Sequence, residues 1–239
     1  MSEYPRRSVA RSPDLLTIGT NQIHWSENEL RIDVRDRLTR FGGSLNPFGE
    51  AIEGTIRVIP RALNRRAFAL DMPAKHTWWP VAPESDIEVS LNGQYFCGTA
   101  YFDTNWGREP LERGFRGWNW SRSKIANRTV VHYVTDADDG SRHALALEFD
   151  ADGDARDRAC GPQRALARSN WGIRREVVSD SNAPVISEVM EDTPFYARQR
   201  VAHEIDGQTV EAIHESLDLR RFDSRAVQHL LTYKTRRVG

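Results

Sequence analysis

The chain has 239 residues, of which 39% are apolar and 28% charged, and its formal net charge is −1. That length and composition suit one large or two small globular domains and exclude a disordered chain. Acidic and basic residues are interleaved along the chain, which excludes the basic stripe of a nucleic-acid binder. The N-terminal "MSEYPRRSVARSPDLL" holds arginines but no apolar core, so no signal peptide is predicted. No run reaches the roughly 18 apolar residues of a membrane helix. A cytoplasmic location is expected. Cys97 and Cys160 are too few for a disulfide framework and wrongly spaced for zinc; they are expected as buried free thiols.

In chain order the pattern is β. "LTIGTNQIHW" and "ELRIDVRDRL" are short alternating segments, and "EGTIRVIP" alternates again around Ile56 and Val58. "SDIEVSLNGQYFCGTAYFD" reads as two strands around Asn92-Gly93, the strongest short hairpin signal. "TVVHYVTDADDGSRHALALEFD" repeats the plan around Asp139-Gly140, and "QRVAHEIDGQTVEAIHESLDL" turns at Asp206-Gly207. "WGIRREVVSD" continues the β pattern. Turn signals at about 8–12-residue spacing predict an all-β sandwich or barrel. The one helix expected is "DSRAVQHLLTYK", N-capped by Asp223 or Ser224, with Val227, Leu230 and Leu231 as its apolar stripe. The stretch "WSRSKIANRT" follows a dense aromatic block and suggests a boundary, dividing the chain into residues 1–124 and 125–239.

The chemistry concentrates in "GTAYFDTNWG". Tyr101, Asp103 and Asn105 alternate there, so a strand points all three to one face. Aromatics crowd the surrounding sequence from Trp78 to Trp120, and Trp118 and Trp120 in "WNW" also share a face. Two readings stand for this block: a plain aromatic core, or a pocket for an apolar or cationic species. Asp103 likewise reads as a turn-capping residue or as an acid. An acid active at pH 7 needs a carboxyl raised about three units, worth roughly 4 kcal/mol, and burial among aromatic rings supplies such a shift.

Weaker candidates are Asp103 with Glu109 or Glu112 as a glycosidase pair, and "DADGDARD" as a calcium loop. In that second stretch Gly153 stands at the fourth position, so it reads as a solvated hairpin end. His203 and His214 lack a third ligand, and no metal site is predicted. No phosphate-cradling glycine motif or nucleophile elbow occurs.

The stretches "KHTWWPVAPESDIEV", "GTAYFDTNWGREPLERGFRGWNWSRS", "EDTPFYAR" and "HESLDLRRFDSRAV" resemble, in order, those of the carotenoid 1,2-hydratase (hydroxyneurosporene synthase) family. The resemblance implies two lipocalin-like antiparallel β domains. It implies cofactor-free addition of water to the terminal C=C bond of an acyclic carotenoid such as neurosporene or lycopene. It also implies an acid in the step Tyr101-Phe102-Asp103 and a role for Trp78 in "HTWWP". Asn105, Trp118 and Trp120 are added here as substrate- or water-positioning candidates. A membrane-dissolved substrate implies peripheral contact with the membrane surface. Family members begin with further residues, so N-terminal strands are expected to be missing, and the usual Pro-containing basic ending is absent. A non-catalytic lipid or carotenoid carrier, a natural-product cyclase or pericyclase, and a carbohydrate binder are the alternatives.

Overall fold

A computed structural model describes residues 2–38, 50–234 and 236–237. In chain order the strands begin with β1 (Ser2–Glu3), β2 (Val9–Arg11), β3 (Leu15–Ile18), β4 (Asn21–Trp25), β5 (Leu30–Leu38) and β6 (Glu50–Pro60). Next come β7 (Phe68–Ala69), β8 (His76–Leu91), β9 (Gln94–Gly107), the single turn α1 (Leu111–Gly114), β10 (Phe115–Ile125), β11 (Arg128–Ala137) and β12 (Arg142–Phe149). The chain ends with β13 (Ala155–Asp157), β14 (Gln163–Leu166), β15 (Arg175–Val178), β16 (Val185–Asp192), β17 (Tyr196–Ile205), β18 (Gln208–Asp218), α2 (Leu219–Phe222), α3 (Arg225–Lys234) and β19 (Arg236–Arg237). Apart from the short parallel pair β1–β19, the pairings of the sheets are antiparallel, as expected for this all-β chain.

The chain forms two compact units. The first holds residues 1–62, 84–102 and 228–239; the second holds 63–83 and 103–227. Strands β8 and β9 pass from one unit into the other. The sequence-derived position 124/125 falls inside the second unit, where Ala126 (φ +50°) turns β10 into β11. A two-residue turn without glycine or aspartate gave no hairpin signal there.

In the first unit β2, β3, β4, β5 and β6 form a meander that continues into the C-terminal part of β8, which pairs with β9. Its buried apolar pair is Leu30 opposite Val58. Its flanks are charged: Arg57 reaches Glu29 and Glu88, each at 2.6 Å. The β8–β9 turn is the expected Asn92-Gly93, with φ +50° and +78°. Asn92 earns its place twice, since its side chain accepts from Glu53 N at 2.8 Å and donates to the Ala51 carbonyl at 2.9 Å.

In the second unit the sheet order is β13-β12-β11-β10-β18-β17-β16, with the hairpin β14–β15 apart from it. Most of the buried apolar residues lie here, including Leu70, Phe115, Val130, Leu147, Phe149 and Ile173. Successive residues of a strand point to opposite faces, so the two faces of this sheet differ in character. One carries Ser123, Gln199, His203, His214 and Ser216, all buried. His203 Nδ1 donates to the Val178 carbonyl (2.9 Å) and His214 Nε2 to that of Glu176 (2.8 Å), both on β15. The other face carries Trp118, Trp120 and Tyr133.

Prolines mark where β8 has no ladder with β6 or β7. Its ladder with β7 involves Thr77 and Trp78, and that with β6 starts at Ser85. Pro80 and Pro83, which have no N–H to give, lie in the gap. There the buried Asn64 takes over, donating through its backbone N–H to Val81 O and its amide to Pro80 O.

Helix α3 matches the expected segment. Ser224 Oγ accepts from Val227 N at 3.4 Å, and Val227 is buried while Leu230 is half-exposed. Helix α2 was not foreseen; Asp218 caps it by accepting from Arg221 N at 3.0 Å. One expectation is corrected: Cys97 and Cys160 are free but exposed, not buried. Cys97 lies in the part of β9, residues 94–99, that is exposed on both sides, and Cys160 lies in the connection from β13 to β14.

Candidate active site

The site is built from β8 inward. In "HTWW" the alternation sends His76 and Trp78 to the core, and both are buried, Trp78 completely. Trp79 points the other way and donates its indole N–H to the Asn64 carbonyl at 2.9 Å. An indole N–H that is buried needs an acceptor. For Trp78 that acceptor is Asp103, whose Oδ2 lies 2.7 Å from Nε1. Two residues that the sequence singled out, 25 positions apart, are thus in direct contact.

Around this pair the aromatic side chains touch in series. Trp78 tilts against Phe68 at 5.8 Å and meets Tyr133 edge-on at 5.4 Å. Tyr133 in turn meets Trp118 edge-on at 6.0 Å. Trp120 is buried and pairs in register with Tyr133 on one side and Glu215 on the other. Trp118 and Trp120 therefore lie on the face that carries Tyr133, next to Trp78 and Asp103. Tyr101 is partly buried, two residues before Asp103 on the same side of β9. Asn105, the third member of that alternation, is exposed.

His76 anchors the start of β8. Its Nδ1 lies 3.4 Å from Asp71 Oδ2, its Nε2 lies 3.2 Å from the Glu109 carbonyl, and its ring packs on Phe115 at 4.7 Å. The backbone N–H donates to Asp71 Oδ1 at 3.0 Å. The ring fits only because two neighbours are glycines. A Cβ on Gly107 would stand 2.5 Å from its Cδ2, and one on Gly114 would stand 2.7 Å from its Cε1. Gly107 ends β9, so this fit fixes the strand that carries Asp103.

The electrostatics draw in a residue that sequence reasoning missed. Glu215 on β18 faces Arg198 Nε at 3.5 Å. Burial raises its carboxyl above the usual range; Arg198 and a hydrogen bond from Tyr196 pull it down, and the charge of Asp103 pushes it up again. Burial likewise drives the Tyr133 hydroxyl far above the usual phenol range, with Asp103 adding to the shift. Asp103, Tyr133 and Glu215 thus lie within electrostatic reach of one another. No local signal marks Glu215 or Tyr133, since each is an ordinary member of an alternating strand.

The weaker candidates take structural places. Glu109 is paired with Lys75 at 3.0 Å, and Glu112 lies in the first turn of α1. Asp150 turns the chain by accepting from the N–H groups of Asp152 (3.1 Å) and Asp154 (3.0 Å), the hairpin end expected of "DADGDARD". Among the described residues no cluster of three or more His, Cys, Asp or Glu side chains has the geometry to hold a metal ion.

Comparison with known proteins gives a consistent result. The family profile described as carotenoid hydratase CrtC matches residues 1–239. The acyclic carotenoid 1,2-hydratase of Thiocapsa roseopersicina is 37% identical over 243 residues, which cover 100% of this chain and 58% of that protein. The protein of the same name from Cereibacter sphaeroides is 35% identical over 242 residues, covering 100% of this chain and 85% of its own length. Among solved structures, a Nitrosomonas europaea protein named for AttH shares the lipocalin-like fold, with a TM-score of 0.56 at 14% identity over 90% of this chain and 72% of that one.

Proposed function

The chain belongs to the carotenoid hydratase family, and from that premise we propose that it adds water, without a cofactor, to the terminal C=C bond of an acyclic carotenoid of the neurosporene or lycopene type. The observation that carries this reading is the Trp78–Asp103 hydrogen bond among tilted and edge-on aromatic rings. Asp103, whose Oδ2 accepts from the indole, is the acid and gives a proton. That proton goes to the CH carbon of the terminal isoprene bond, leaving a tertiary cation on the dimethyl carbon. The π faces of Trp78 and Tyr101 steady the cation, each by about 0.5–2 kcal/mol when desolvated. Trp118, Trp120 and Tyr133 supply an apolar wall that limits the entry of water. Water adds to the cation, the product is a tertiary alcohol, and Asp103 is reprotonated. Asn105, exposed farther along the same strand face, positions the adding water. The substrate is dissolved in lipid, so the chain works in peripheral contact with the membrane.

The test is incubation of the purified chain with lycopene or neurosporene in lipid vesicles and ¹⁸O-labelled water. The expected product is a tertiary alcohol carrying ¹⁸O. Asp103→Asn binds the carotenoid but forms no alcohol. Binding without product by the unaltered chain would leave a carrier, and full turnover by Asp103→Asn would remove the acid assignment.

A further inference from the structure

Hydration moves two protons: one onto carbon and one off the adding water. A single carboxyl can do both only in sequence. Glu215 is a second carboxyl on the same face, and the reading above leaves it unused. It stands in register with Trp120, which stands in register with Tyr133. Glu215 and Tyr133 are thus two strand spacings apart, about 10 Å between backbones. Tyr133 touches Trp78, and Trp78 holds Asp103. The side chain of Glu215 is 27% exposed, shielded yet open to one side.

We propose, on the premise that the chain is a carotenoid hydratase, that Glu215 is the second catalytic carboxylate and takes the proton from the adding water. Asp103–H gives its proton to the alkene carbon as the C–H bond forms. Water oxygen bonds to the cationic carbon, and its released proton passes to the Glu215 carboxylate. Transfer of that proton from Glu215 back to Asp103 closes the cycle, with no oxidant, reductant or co-reactant. Arg198, 3.5 Å away, favours the ionised form of Glu215 against the burial that raises its carboxyl. The other charged or titratable groups around it are Tyr196 from β17, Glu191 from β16, Tyr133 from β11, Asp103 from β9 and Arg122, two residue pairs along β10. The mutual repulsion of Asp103 and Glu215 favours the state in which one is protonated and the other is not, which is the state an acid–base pair requires.

The experiment is the pH profile of lycopene hydration in phosphatidylcholine vesicles, for the unaltered chain, Glu215→Gln and Glu215→Asp. The unaltered chain should give a bell with two limbs, which belong to the coupled pair. Glu215→Gln should stay folded by near-UV circular dichroism, lose about 10²–10⁴-fold in kcat, keep its KM, and show a single limb. Glu215→Asp should restore the second limb. A single limb in the unaltered chain overturns the proposal without needing any variant. Wild-type kcat in Glu215→Gln, or a loss of activity that keeps both limbs, overturns it while leaving the hydratase reading intact. An unaltered chain that hydrates no carotenoid removes both.

Discussion

Trp78 donates its only hydrogen-bonding proton to Oδ2 of Asp103 at 2.7 Å. That contact ties the most deeply buried large side chain of β8 to the carboxyl of β9.

Removing the donor while keeping a ring tests that link. A hydrogen bond to a charged group is worth about 1.5–3 kcal/mol, or roughly 10–150-fold in rate. Trp78→Phe should lower kcat for carotenoid hydration within that range while substrate binding persists. An unchanged kcat would reduce Trp78 to an aromatic wall.

The fit of His76 against Gly107 and Gly114 makes a stability prediction. A methyl on Gly107 would meet the imidazole at 2.5 Å, and a core that must shift to admit a methyl typically loses about 1–3 kcal/mol. Gly107→Ala should therefore lower the urea midpoint. The loss should shrink in the His76→Ala background, where the clash is gone. Equal losses in both backgrounds, measured by a double-mutant cycle, would show that the ring is not the obstacle.

The polar face of the second unit predicts acid sensitivity. Burial lowers His214 to about 4 and His132 to about 3, and lowers His203 as well. Each is held neutral in the folded chain and titrates near 6.5 when unfolded. Between those values the unfolded chain binds more protons, so stability is complete above about pH 6.5 and falls as the pH drops toward 4. For His214 alone the shift corresponds to roughly 3 kcal/mol. Urea unfolding at pH 7.5 and pH 5 should show the lower midpoint at pH 5; equal midpoints would contradict the buried neutral state.

The Asn92-Gly93 turn separates backbone from side-chain effects. Asn92→Gly keeps the left-handed backbone (φ +50°) and removes two hydrogen bonds to the β6 edge. Asn92→Ala removes the bonds and adds strain, about 1–2 kcal/mol for an ordinary residue in that region. Thermal unfolding should rank native, Gly and Ala in that order, and a reversal of the last two would refute the turn assignment.

The hairpins at Asn92-Gly93, Asp139-Gly140 and Asp206-Gly207 were legible in the sequence because their turn residues favour a left-handed backbone, a purely local preference. The β10–β11 turn, Ala126-Asn127, lacks a glycine and puts alanine in the left-handed position, and there the sequence suggested a domain boundary instead. The exposed thiols were illegible for a related reason. A cysteine's burial depends on what covers its strand, and residues 94–99 of β9 are exposed on both faces.

Local alternation alone determined that Tyr101, Asp103 and Asn105 share one side of a strand, and that Trp118 and Trp120 share another. A period of two is written into consecutive residues and needs no partner. Only the tertiary structure decided that Trp78 would hold Asp103, that Tyr133 would bridge Trp78 and Trp118, and that Glu215 would stand beside Trp120, 95 residues away in the chain. Strand order and register arise from backbone hydrogen bonds between distant segments. The alternation of one strand states which way a side chain points, but not what it will face.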